Sequence, residues 1–314
     1  VHGSWTTAFV HGRHDYVVPA VPDRGPDGVG IARTFFWPDS VVERSPEQLR
    51  DEAFDVVILQ RKRDLQLCEE WTGRRPGRDV PAIWVEHNAP QGRINELRHP
   101  MADRDDVVVA HVTHFNDLFW DCGSARTVVI EHGIVDPGYR YTGELARAAV
   151  VVNEPVRRAR VTGTDLLPLF AEAAPLDLFG MKVEGAGRSI GIPRHRLAEY
   201  DDLPQAEMHS ELARRRVYVH PLRWTSLGLS LLEAMHLGMP VVALATTEAI
   251  RAVPPEAGVI DTDVEQLVNA VRALVNDEAR ARAMGEAGRA YALEHYGLVR
   301  FTDDWDKLLG EVVR

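Results

Sequence analysis

Val219-His220-Pro221-Leu222-Arg223-Trp224-Thr225-Ser226-Leu227-Gly228-Leu229-Ser230-Leu231-Leu232-Glu233-Ala234-Met235-His236-Leu237-Gly238-Met239-Pro240-Val241-Val242-Ala243-Leu244-Ala245 is the stretch that decides the fold. A β-branched run stops at His220-Pro221, a short loop follows, and a helix is expected from about Leu227-Gly228. Thr225 or Ser226 can cap it, Gly238 ends it, and Pro240 opens the next strand. The helix is apolar except for Ser230, Glu233 and His236, a stripe at i, i+3 and i+6. Amide groups at its N-terminus, with their partial positive charge, form a seat for a diphosphate. Gly228 would let phosphates approach the backbone closely. Glu233, one to two turns in, is placed to accept hydrogen bonds from a ribose. The plainer reading is an ordinary α/β helix whose Glu233 faces solvent.

Working outward, strands and helices alternate along the chain. Strands are expected at Tyr16–Val21, Phe54–Leu59, Ala82–Glu86, Val107–Val112 and Thr127–Glu131, with Val1-His2-Gly3 as the tail of another. Ser45 and Gln48 make a capping box for a helix from Pro46. Asp136 to Glu144, with Pro137, Gly138 and Gly143, reads as a linker. A second alternation follows at Val150–Asn153, Leu176–Gly180, Val217–His220 and Pro240–Ala245. Helices close the chain at Val264–Val275, Glu278–His295 and Phe301–Val312. This pattern predicts two α/β domains, each with a parallel sheet covered on both faces. No repeat of fixed period is present.

Composition is that of a globular protein, 45% hydrophobic and 26% charged. A net charge of −11 is a poor footprint for nucleic acid or an anionic bilayer. No apolar run reaches transmembrane length and no signal-peptide pattern opens the chain, so a cytoplasmic location is expected. Cys68 and Cys122 make no disulfide framework, which fits a reducing compartment. Lysine occurs only at Lys62, Lys182 and Lys307. A phosphate clamp must therefore rest on arginine, backbone amides and helix dipoles.

Several strands end in histidine: His2, His87, His132 and His220. Ligands of open α/β sheets bind beyond the carboxyl ends of strands, so these side chains should rim a crevice. Each can equally be a strand terminator bonded to nearby backbone. A zinc site lacks the usual ligand spacings. Asp261-Thr262-Asp263 has the spelling of a metal-binding aspartate motif, but Thr262 and Glu265 would make a capping box for the next helix. Gly25, Gly28 and Gly30 have the wrong order for a dinucleotide fingerprint. Glu86 and Glu131 are the carboxylates available for glycosidase-type chemistry.

Residues 219–245 resemble the donor-site signature of the retaining GT-B glycosyltransferases of family four. Glu233-Ala234-Met235 and Gly238-Met239-Pro240-Val241-Val242 match its "EAM-x-x-G-x-PVV", and Thr225 stands where that family has a first, sugar-binding glutamate. Gly163-Thr164-Asp165-Leu166-Leu167 resembles its "KG-x-D-L-L" segment with Thr162 replacing the lysine, and Arg157 best matches the preceding arginine, with Arg158 and Arg160 nearby. Gly3-Ser4 falls at the family's glycine loop. His87 resembles its reaction-centre histidine, and Ile130-Glu131-His132-Gly133-Ile134 its domain-closing turn.

The resemblance implies a GT-B fold, two Rossmann-like domains facing a central crevice. Residues 1–145 would form the acceptor domain and 146–298 the nucleotide-sugar donor domain, with helix 299–314 returning to the first. It implies retaining transfer from a nucleoside-diphosphate sugar to a small-molecule or glycan acceptor, with no metal and no other cofactor; the modest length and acidic charge lean toward a soluble acceptor. His87 would be catalytic. Gly3, Ser4, Arg157, Arg160, Thr225, Ser226, Leu227, Gly228 and Glu233 would bind the donor. A sugar-nucleotide epimerase of the same fold and a non-catalytic nucleotide-sugar-binding protein are the alternatives.

Overall fold

The computed structural model describes residues 3–31 and 36–313, with the backbone alone for Ser4. The chain divides into two compact units, one of residues 1–135 with 298–314, the other of residues 136–297.

In the first unit, β1 (Tyr16–Pro19) and β2 (Val41–Arg44) form a parallel pair. A separate parallel sheet runs β3 (Val57–Leu59), β4 (Ala82–Glu86), β5 (Val108–His111), β6 (Thr127–Val129) in that order. Helix α1 (Gly3–Phe9) opens the described chain, α2 (Lys62–Thr72) follows β3, and α3 (His114–Phe119) follows β5. All five residues of β4 are buried, as a strand covered on both faces requires. Its side chains alternate between two cores. Ile83 and Val85 pack with Trp5, Phe301 and Trp305, while Ala82 and Trp84 pack with Met101, Val107 and Cys122. Phe301 and Trp305 come from the C-terminal helix, Leu298–Val312, which thereby fills one face of this sheet.

The second unit holds a six-stranded, all-parallel sheet in the order β12-β11-β10-β7-β8-β9. Its strands are β7 (Leu145–Val151), β8 (Leu176–Gly180), β9 (Leu197–Asp201), β10 (Arg215–His220), β11 (Val241–Leu244) and β12 (Gly258–Asp261). The helices that matter here are α4 (Leu167–Ala173), α5 (Gln205–Leu212), α6 (Leu229–Leu237), α7 (Val264–Asn276) and α8 (Glu278–His295). Strand order reverses where β7 meets β10, and this is the topological switch point of a doubly wound sheet. Ala148, Val150, Leu176, Leu178, Val217 and Val219 build the core against α4 and α7. Arg215 is buried within this sheet, where its Nε donates to Asp177 Oδ2 at 2.6 Å and Nη2 to the Tyr200 hydroxyl at 2.7 Å.

Several element boundaries differ from those expected. The strand expected at Val150–Asn153 is Leu145–Val151, because burial between β8 and β10 overrides the weak strand preference of Ala148 and Ala149. β9 and β12 escaped notice. They are short sheet edges with half-exposed residues and carry little alternation. Helix α7 is capped by Asp263, whose carboxylate accepts from Glu265 N at 2.9 Å, and not by Thr262. Asp261 accepts from Asp263 N at 2.9 Å, so both aspartates of the metal-like spelling bond backbone at this helix start. The C-terminal helix begins at Leu298, one turn before Phe301. Residues 1 and 2, expected to end a strand, lie outside the described residues.

Candidate functional site

At the end of β10, His220-Pro221 leads into the loop that starts α6. The helix begins at Leu229 with Gly228 as its N-cap, φ −69° and ψ 116°, slightly later than expected. Neither Thr225 nor Ser226 is therefore its N-cap residue, and Gly228 has no side chain to serve as a cap. The opening amides of α6 thus receive no cap from the N-cap residue. Gly228 lies directly on the His220 ring, where an added Cβ would come within 2.5 Å of Cε1. Burial pushes the His220 pKa down to about 3, so the ring is neutral. The Tyr218 hydroxyl donates to Ser230 Oγ at 2.9 Å and lies 3.3 Å from His220 Nδ1, tying strand, ring and first helical turn together. Leu227 and Ser226 are buried.

The loop after β7 flanks the same switch point. Gly163 has φ +70°, and a side chain there would collide with the carbonyl of Pro221. This close approach is reinforced by Arg223 N donating to Val161 O at 2.9 Å. Thr162 is buried; its hydroxyl donates to Ala159 O at 3.0 Å and meets the Thr164 hydroxyl at 2.8 Å. It fastens the loop internally, which a lysine at this position would not do. Arg157, 70% exposed, donates from Nε to Glu154 Oε2 at 3.0 Å. Lys182 Nζ reaches Glu154 Oε1 at 2.8 Å. The hydrogen bonds from Arg157 and then Lys182 pull the Glu154 carboxyl down to about 2. Arg160 pairs with Asp165 at 3.0 Å, and Arg223 Nη2 reaches the same carboxylate oxygen at 2.9 Å. Arg158 is half-buried and makes no side-chain hydrogen bond or ion pair among the described residues. Sequence reading favoured Arg157 and Arg160 over it, because carboxylate partners that neutralise a cation cannot be read from spacing.

Glu233 is 5% exposed and is not on a solvated face. Gln205 Nε2 donates to its Oε1 at 2.9 Å, and His209 Nε2 stands 3.5 Å from its Oε2. Both partners lie on α5. His236 is fully buried, with Nδ1 donating to Leu232 O at 2.8 Å, so the whole polar stripe of α6 turns inward. Nothing in the local sequence signals Gln205, which lies 28 residues from its partner.

In the first unit, His87 follows β4 and is half-buried against the edge of Trp5, with ring centroids 5.0 Å apart. Its neighbour Glu86 is buried and accepts from Asn88 N at 2.7 Å, His99 Nε2 at 3.0 Å and Trp84 Nε1 at 3.2 Å. Met101 N donates to His99 Nδ1 at 3.0 Å, which leaves Nε2 as the donor to Glu86. Burial opposes the Glu86 charge, yet the bonds from His99 and Asn88 hold its carboxyl below the usual range. A glycosidase acid needs the opposite shift, so Glu86 does not fit that role. Gly3 is the first described residue and opens helix α1. The Ser4 side chain lies outside the described residues. Among the described residues no group of three or more His, Cys, Asp or Glu side chains is arranged to hold a metal ion. Among the described residues no helix is long and apolar enough to cross a membrane.

Residues 198–291 match the family model described as glycosyl transferases group 1. The matched segment is similar to group 1 glycosyltransferases. It runs from β9 into α8 and contains α5, the α6 N-terminus and Glu233. Sucrose-phosphate synthase from Thermosynechococcus elongatus superposes with a TM-score of 0.66 at 17% identity, over 82% of this chain and 73% of its own. HepE from Anabaena, in complex with UDP and glucose, gives 0.66 at 14% identity over 86% of each chain. The pneumococcal O-GlcNAc transferase GtfA, in complex with UDP and GlcNAc, gives 0.64 at 16% identity. That match covers 82% of this chain and 57% of GtfA, so the chain spans little more than half of it. No curated protein matches the chain by sequence. At these identities the likeness is one of fold, and the fold is GT-B with two Rossmann-like units. Within the group 1 segment, α6 brings together Gly228, Ser230 and Glu233. The arginines and Thr162 lie upstream of the matched residues, on the loop that hydrogen-bonds to the start of the α6 loop.

Proposed function

We propose that the chain is a retaining glycosyltransferase that takes a sugar from a nucleoside-diphosphate donor and passes it to a soluble acceptor. The observation that carries this reading is the start of α6, a helix N-terminus whose N-cap is a glycine, beside the switch point of a parallel sheet. Such an end favours a diphosphate, because its amides and dipole are already oriented toward negative charge. Glu233, held inside the same helix, supports a ribose contact, since a carboxylate accepts hydrogen bonds from both hydroxyls of a diol.

The chemistry asked of these residues is charge stabilisation. As the glycosidic bond to the donor breaks, negative charge grows on the diphosphate. The α6 amides are preorganised to meet it, and the arginines of the 154–163 loop supply positive charge beside them. His87 is assigned to the reacting sugar, and Gly3, Ser4, Thr225, Ser226 and Leu227 to the donor pocket, on the strength of the family resemblance. On the same ground no metal is required. HepE and GtfA are described with UDP, which makes UDP-sugars the first donors to try.

The test is incubation with a panel of nucleotide sugars, with and without chelator, followed by mass spectrometry and NMR. Transfer or slow donor hydrolysis, undiminished by chelator and with retained anomeric configuration, is the expected result. Isomerisation of the donor sugar would make the chain an epimerase. Saturable binding without turnover would make it a nucleotide-sugar-binding protein.

A further inference from the structure

We propose that Gln205 is a positioning residue for the donor ribose, acting by fixing the plane of the Glu233 carboxylate. The inference rests on the reading of Glu233 as the ribose acceptor and adds a residue to it. Glu233 is buried, and a buried polar group needs hydrogen-bond partners. No lysine or arginine pairs with it among the described residues. Its one hydrogen bond of normal length comes from Gln205 Nε2, at 2.9 Å to Oε1.

The geometry explains why that bond matters. The terminal torsion of a glutamate is broad and roughly two-fold, so an unheld carboxylate rotates about its last bond. Accepting from two adjacent hydroxyls requires both oxygens to present their lone pairs in one plane. Gln205 takes one lone pair of Oε1 and leaves the other free, which sets that plane. The backbone that carries the amide is constrained: Gln205 is the first residue of α5, immediately after Pro204, whose ring fixes the backbone entering the helix. His209, one turn further along α5, faces the other oxygen at 3.5 Å, beyond hydrogen-bond length, and so orients it less.

The experiment compares UDP with 2′,3′-dideoxy-UDP by calorimetry on the wild type, Gln205→Met and Gln205→Glu. Met keeps the length and removes the donor; Glu is isosteric and places a carboxylate against a carboxylate. Wild type should prefer UDP. In both variants the ratio of the two dissociation constants should fall by about fivefold to tenfold, the scale of one ordinary hydrogen bond. Affinity for dideoxy-UDP should stay unchanged, which a general folding defect would not allow. Full discrimination in either folded variant overturns the role of Gln205 while leaving Glu233 in place. Failure of the wild type to discriminate overturns the Glu233 reading itself, and the inference falls with it.

Discussion

Gly228 packs against the His220 ring, and the space between them is smaller than a methyl group: a Cβ on Gly228 would stand 2.5 Å from His220 Cε1. The glycine is therefore required by packing, since its φ of −69° is open to any residue. His220 cannot retreat, being buried beneath the first turn of α6 and linked through Tyr218 to Ser230. Gly228→Ala should therefore displace the start of α6 at a cost of about 1–3 kcal/mol, the usual range for overpacking. Denaturant unfolding measures that cost. Nucleotide affinity should fall with it, and an unchanged affinity would remove the α6 N-terminus from the binding site.

The three neighbouring arginines are not equivalent. Arg157 is held by Glu154 and Arg160 by Asp165, whereas Arg158 has no ion-pair partner among the described residues. A cation already paired must give up its carboxylate before it can take a phosphate. Arg158→Gln should thus weaken binding of a nucleoside diphosphate by about tenfold or more, as expected for a charge-assisted hydrogen bond, with little effect on the nucleoside. Arg157→Gln should do less. Equal sensitivity to both ligands would point to a damaged loop, and a larger effect at Arg157 would return the clamp to the position that the motif favours.

These two cases mark how far the sequence could be read. The parallel sheets, the α6 helix and its glycine boundaries follow from alternation, caps and apolar periodicity, which are local signals. Gly228 and Glu233 were legible because the motif places them on one helix. Gln205, Arg158 and the network around Glu86 were not, since their roles depend on which partner is nearby in space. Thr162 shows the same limit from the other side. As a departure from the motif it suggests a lost ligand, but its hydroxyl is occupied in closing a turn.

Acid should destabilise this protein through buried histidines. His111 is fully buried at the end of β5, and burial lowers its pKa to about 4, against smaller opposing effects of Asp117 and Glu86. Below pH 6.5 the unfolded chain takes up a proton on His111 that the folded chain refuses until about pH 4. The unfolded state binds more protons in that window, so stability falls as pH falls. Urea unfolding at pH 7, 6 and 5 should show the decline. In His111→Gln it should be shallower, by about 2 kcal/mol at pH 5. Parallel curves for the two proteins would mean that His111 does not titrate differently on folding.

His87 is packed against Trp5 at the end of a strand that is buried along its length. If it acts on the reacting sugar, His87→Ala should lower kcat by about 100-fold or more, the scale of a lost catalytic group, and leave nucleotide affinity within a few fold. Turnover and nucleotide binding measured on the same preparation separate the two. A mutant with full activity would leave His87 as a strand-end residue that completes the Trp5 edge contact.

Glu233 offers the sharpest separation between charge and shape, because its environment is mapped on both oxygens. Gln205 donates to Oε1, and His209 faces Oε2 at 3.5 Å. Glu233→Gln keeps the volume but replaces one acceptor oxygen with an amide nitrogen, which would face either the Gln205 donor or the ribose hydroxyl. Glu233→Ala removes both oxygens and leaves a cavity in a helix that is buried along most of its length. If the carboxylate accepts from the ribose, each substitution should weaken nucleotide binding by about 10- to 150-fold, from the roughly 1.5–3 kcal/mol of a charge-assisted hydrogen bond. Only the Ala variant should also lose about 2 kcal/mol or more of folding stability, through the cavity. If the Gln variant binds nucleotide as the wild type does while the Ala variant is both weaker and less stable, then Glu233 is a packing residue. The ribose would then find its partner elsewhere on the group 1 segment.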